Sequence, residues 1–251
     1  MIREVTRKEY VERKPLLAIA FTLVLVLTAA IPSVFSYSLA HAMRAIGNDT
    51  AEVVLRNFRS YQVFVESDWL ARNLSRILCL LALLAASSAI AGERERRTLP
   101  LLYTSSVAVR NIVLVKFGFL AAWLALVTFA SFAVLTAHSL VERFPLGVAQ
   151  VGLASFVAWA NALAFLGVVF AASAFSRRTV VAGACGLALG FATAGALSLF
   201  GLNGTALATN IFAVDGSVVW ANAALDVCVA VAIAGAGLAA ALFEVERRRA
   251  T

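Results

Sequence analysis

The side chains able to do chemistry are few in this chain, and the densest group of them is Glu93-Arg94-Glu95-Arg96-Arg97-Thr98. Ions this closely spaced are costly to take out of water, so they belong at an aqueous boundary although long apolar runs flank them. Their chemistry is recognition. Thr98 can N-cap a helix that starts at Leu99, and Pro100 is tolerated in its first turn. Glu93 and Glu95 lie just ahead of that N-terminus, where carboxylates are favoured. Leu99, Leu102 and Tyr103 then share one face. The layout is that of a small helix at a membrane surface, offering an apolar knob to a partner. The plainer alternative is a loop that only joins two helices.

Other chemistry is missing from the sequence. It has no Gly-rich phosphate loop ending in Gly-Lys-Ser/Thr, and no Ser/His/Asp set, carboxylate pair or His/Cys cluster at working spacing. Cys79, Cys185 and Cys228 all fall inside apolar runs, an odd number with no metal-ligand spacing. His41 and His138 stand alone near segment ends. Met1 and Met43 are the only methionines, which argues against thioether-based copper handling. The expectation is a chain that is not an enzyme and holds no cofactor or metal, so any work it does draws on energy supplied elsewhere.

The elements that must position the charged group are membrane helices. Of the 251 residues, 62% are hydrophobic and only 14% charged, against roughly half and a quarter in soluble domains. The excess lies in blocks of about 20 residues, the length one helix needs to cross hydrocarbon. An all-α integral membrane fold follows, as one transmembrane domain over 1–251. Residues 1–14 read as a basic interfacial helix. Six spans follow at 16–37, 75–91, 112–136, 151–175, 180–200 and 218–243. Pro32 marks a kink in the first, and the second could start earlier, near Trp69. The charged group belongs to a segment at 93–107. Residues 201–217 are too apolar for a plain loop and too short for a domain, as in a re-entrant or interfacial turn. With the N-terminus inside, 15 of the 21 Lys and Arg residues fall on the inner side and six on the outer. Both termini and the charged segment are therefore expected in the cytoplasm of a cell whose inner (plasma) membrane holds the chain. The net charge of +7 is then a topology signal and an attraction to anionic lipid, not a nucleic-acid footprint.

A few intramembrane positions stand out. Gly183, Gly186 and Gly190 in the fifth span let another backbone approach closely. This serves packing within the chain, or a face beside a translocation path or a second copy. Asp226 in the sixth span either snorkels outward or pairs with Arg72 or Arg76, which share a face at the start of the second span, or contacts substrate or a gate. Asn161 is polar at mid-membrane and is expected to tie helices together.

The run from Gly92 to Lys116 resembles the segment between the second and third helices of ABC-2 type transporter permeases. The family pattern matches at Glu93, Arg94, Glu95, Thr98-Leu99, Leu101-Leu102, Thr104, Val107, Arg110 and Lys116. Two positions depart: Arg97 stands where Gly is usual, and Ser106 where Pro is usual. The resemblance implies that 93–107 is a coupling helix docked on a separate ATP-hydrolysing subunit, with ATP and Mg held there and not in this chain. Glu93, Glu95, Thr98, Leu99, Leu102 and Tyr103 would make that contact. It further implies two ATPase copies, a second copy of this chain or a homologous permease, and export of a substrate. The alternative is a scaffold that moves no cargo and passes ATPase strokes to a periplasmic or extracellular partner on the long first outer loop, as in metalloenzyme maturation.

Overall fold

A computed structural model describes residues 2–35, 64–98, 108–142, 146–199 and 219–250. Most of the first outer loop, most of 93–107 and the segment 201–217 lie outside the described residues. The described chain forms α1 (Ile2–Ala29), a π-helical stretch (Val65–Leu74) running directly into α2 (Ser75–Ser87), and the short α3 (Ala91–Glu95). Then come α4 (Val109–Glu142), α5 (Val148–Phe175), α6 (Thr179–Leu199) and α7 (Trp220–Ala250).

Five of these rods are long and apolar enough to cross a membrane, with α2 and α3 counted as the single rod Ser75–Glu95. The first helix carries a shorter apolar stretch, Lys14–Ala29. It runs through Pro15 without a break, so the basic N-terminal stretch and the apolar run share one helix and are not two elements. After Ala29 the helix is interrupted by a turn at Ala30 and resumes over 31–35. The interruption lies two residues before Pro32, whose missing N–H removes a rung of the ladder there.

The central helix is α5. In its most apolar window 61% of residues are buried, against 17% for α6. Helices α2, α4, α6 and α7 all pack on α5, and α1 packs on α4. The closest approach is between α5 and α7. A Cβ on Gly237 would lie 2.3 Å from the Gly167 carbonyl oxygen, and one on Gly167 would lie 2.7 Å from the Ala234 Cα. The two backbones therefore touch with no side chain between them, the contact small residues allow in a bilayer. The expected glycines of the fifth span also face inward. Gly186 abuts Val169 of α5, Gly190 abuts the Phe165 ring, and Gly183 lies near Ser87 of α2.

Polar side chains tie the rods together where the core needs them. The hydroxyls of Thr28 (α1) and Ser131 (α4) lie 3.0 Å apart, and the Trp69 indole N–H donates to Ser131 Oγ at 3.3 Å. Neither Thr28 nor Ser131 has measurable exposure to solvent. Pairing them with each other and with the indole leaves no buried hydroxyl stranded in hydrocarbon.

Candidate functional site

The charged group folds as α3, at the end of the bundle where α2 and α7 finish and α4 and α6 begin. Between α2 and α3 the chain breaks over 88–90. Ser173 of α5 repairs the break. Its Oγ accepts the N–H groups of Ile90 at 3.1 Å and Ala91 at 3.0 Å, and its hydroxyl donates to the Ser87 carbonyl at 2.9 Å. One buried hydroxyl thus satisfies the end of one helix and the start of the next. No local spacing signals this role, because Ser173 sits inside an apolar run.

The three ions of α3 point in different directions, each to a different helix. Glu93 points inward and is 7% exposed. The Lys116 ammonium of α4 donates to its Oε1 at 3.2 Å, and the Thr98 hydroxyl donates to its Oε2. Arg94 donates to the carbonyls of Ala174 and Ser176, the latter at 2.9 Å, and so caps the C-terminal end of α5. Glu95 is exposed. Its Oε2 accepts the Thr179 N–H at 3.2 Å and the Thr179 hydroxyl at 2.9 Å, which caps the start of α6. Glu93 was expected to meet a partner's groove, yet its carboxylate is engaged inside the chain. Burial in an apolar site requires a counter-charge, and Lys116 supplies it. Glu95 keeps its solvent side open. Thr98 turns its hydroxyl back to Glu93, whereas Leu99, Leu102 and Tyr103 lie outside the described residues.

The end of α3 explains one departure from the family pattern. The Thr98 N–H bonds the Glu93 carbonyl at 2.9 Å and the Arg97 N–H bonds the Arg94 carbonyl at 3.0 Å. These two bonds make a Schellman motif, which places its penultimate residue in the left-handed region. That residue is Arg97, at φ 56°. A Cβ there costs about 1–2 kcal/mol, and glycine gives back about 0.5–1 kcal/mol in unfolded-state entropy. Arg97→Gly is therefore expected to stabilise the protein by roughly 0.5–1 kcal/mol, read as a higher melting temperature in detergent.

A second polar cluster closes the same end. Glu244 of α7 has no exposed surface, and it pairs with Arg247 at 2.8 Å and with Arg248. Arg248 also donates to the Phe175 carbonyl at 3.2 Å. Guanidinium groups from α3 and α7 therefore share the last carbonyls of α5, where cations are favoured by the helix dipole. The spacing of Glu244 to Arg247 and Arg248, at i+3 and i+4, is the sequence signal that could have found this cluster.

The intramembrane candidates are scattered. Asp226 is 5% exposed, and its Oδ2 has no hydrogen-bond partner among the described residues. Arg76 is exposed and pairs with no described acid. The side chain of Arg72 lies outside the described residues. Asn161 is 9% exposed and makes no hydrogen bond to a described residue.

This geometry is a set of rods whose charged end is fastened by side chains, with no cluster of three or more His, Cys, Asp or Glu able to hold a metal among the described residues. Residues 6–234 match the family model described as ABC-2 family transporter protein. The chain belongs to the ABC-2 family of transporter proteins. No curated protein matches it significantly. As an ABC-2 permease it is a multi-pass helical membrane protein and a non-catalytic subunit. In the permease the Glu93–Lys116 pair and the α3 caps fall within the matched stretch.

Proposed function

We propose that the chain is the membrane-spanning subunit of an ABC-2 exporter, driven by an ATPase subunit that docks on the segment from α3 to Val107. The observation that carries this reading is the fastening of α3 to three helices at once, through Glu93 to α4, Arg94 to α5 and Glu95 to α6. A five-residue helix that serves only to join two spans needs no such anchorage. A lever needs it, because force applied to its outer face must reach the spans without loss. In this reading Glu93, Glu95 and Thr98 hold the base of the lever, with Glu95 also open to the partner. Leu99, Leu102 and Tyr103 supply the apolar knob. The first helix completes six spans, both termini and the lever face the cytoplasm, and the working unit is two permeases with two ATPases. Mg and ATP stay in the partner.

The test is co-purification of the tagged chain from its native membrane in mild detergent. The expected companion is an ABC ATPase in equal amount, and a particle with no nucleotide-hydrolysing subunit refutes the docking. ATP-driven uptake into inverted vesicles then separates export from a scaffold that only relays motion.

A further inference from the structure

The strongest unexplained feature is a cleft of about 390 Å³ on the flank of the bundle, between α2, α5 and α6. Its volume falls within the range of small-ligand sites. Leu80, Phe165, Leu187 and Phe191 give it an apolar wall. Leu80 and Phe191 are 55% and 69% exposed, so the cleft opens sideways on the flank of the chain. Gly190 shapes its floor, since a Cβ there would come within 2.2 Å of the Phe165 ring.

Three polar side chains break this wall: the Ser75 hydroxyl donates to the Leu70 carbonyl, whereas Arg76 and Asn161 are not satisfied by the described protein. Asn161 is more than nine-tenths buried, makes no hydrogen bond to a described residue, and lines both this cleft and a smaller adjoining void. An amide on an apolar cleft wall without a protein partner is a ready site for a ligand oxygen or hydroxyl. Arg76 lies at the rim, exposed and unpaired with any described acid. Arg76 stands in the first turn of α2, and α3 follows the opposite end of that helix. With α3 at one membrane surface, Arg76 lies toward the other. Asn161 borders the same cleft beside Cys79, one turn of α2 below Arg76. The order from surface to core is cation, hydrogen-bonding amide, apolar wall. It matches phosphate, glycerol or ester oxygen, and acyl chain.

We propose that this cleft binds one anionic phospholipid from the leaflet opposite α3, with its phosphate at Arg76, a glycerol-ester oxygen at Asn161 and an acyl chain along Leu80, Phe165 and Phe191. The site depends on the chain spanning the bilayer and is independent of ATPase docking. The test is native mass spectrometry of the full chain, released from bilayers of phosphatidylcholine with phosphatidylglycerol added in steps. Wild type is expected to retain one phosphatidylglycerol in preference to phosphatidylcholine. Arg76→Gln lowers phosphatidylglycerol retention roughly fivefold and leaves phosphatidylcholine unchanged. Asn161→Leu, which keeps the site filled but removes the amide, lowers retention of both lipids. Arg178→Gln, an exposed arginine at the α3 end, changes neither. Arg76 is exposed, so its variant should fold, and a monodisperse elution profile checks this. Equal retention in Arg76→Gln and wild type overturns the proposal. So does an equal loss in Arg178→Gln, or a cleft covered by a second copy so that dimer forms without bound lipid.

Discussion

Lys116→Met is expected to lower the unfolding free energy by about 3–5 kcal/mol, whereas Glu93→Gln combined with Lys116→Met restores most of the loss. Side-chain exposure is 5% for Lys116 and 9% for Glu93. Methionine nearly preserves the length and packing of lysine, so the single variant chiefly removes a charge. It leaves the Glu93 carboxylate buried beside apolar Ile90 and Val113 with only part of its former stabilisation. Glutamine in the double variant carries no charge to desolvate and still accepts the Thr98 hydroxyl. The measurement is thermal unfolding of the detergent-purified chain, with a fall on the order of 10 °C for the single variant. Equal falls in the single and double variants would mean that Lys116 acts through packing and not through charge. Charge reversal at Glu93 therefore reports on folding before it reports on any partner.

The second large effect is expected at the knob. Leu102→Asp or Tyr103→Asp should weaken ATPase-subunit binding by about 100-fold or more, the loss of a buried apolar anchor worth roughly 3 kcal/mol. Stimulation of ATP hydrolysis by the reconstituted permease should vanish with it. Membrane insertion and melting temperature should stay at wild-type values, because in the proposed reading both side chains face the partner. Binding isotherms and ATPase rates on the same vesicles read both quantities. Glu95→Lys makes a graded comparison. It removes a cap from α6 and places a cation at a helix N-terminus, so it should perturb coupling less than the knob variants and stability more. Full stimulation by Leu102→Asp and Tyr103→Asp would remove the knob from the proposal.

Five membrane-length helices were legible in the sequence because hydrocarbon imposes length and composition directly: blocks of about 20 apolar residues survive any tertiary arrangement. The charged segment was legible as a segment for the same reason in reverse. The directions of its side chains were not. Glu93 and Glu95 differ by two residues, about 200° around a helix, so one must turn inward when the other turns out. Charge alone does not say which. That choice was made by Lys116, 23 positions away in sequence, and by Ser173, whose type is common in apolar helices. The fifth span's glycines were visible as small residues, yet the tightest seam lies elsewhere, at Gly167 and Gly237. Gly167 stands between Leu166 and Val168, and Gly237 lies in the small-residue run Ala234-Gly235-Ala236-Gly237, so no local pattern pairs the two and only the tertiary arrangement brings them together. Asn161 was visible as polar, but its lack of a helix partner depends on the shape of a cleft, which no local spacing encodes.

The seam between Gly167 and Gly237 also limits how this protein can move. Side-chain interfaces yield by rotamer hops, but a contact of main chain on main chain has none to offer, and sliding would drive a carbonyl into a neighbouring Cα. Helices α5 and α7 are thus welded into one beam, with Arg94 and Arg248 clamping its charged end. In the proposed reading a push received at α3 swings that beam as a unit, and any parting of the bundle falls on the α1–α4 side, where the joints are made of side chains.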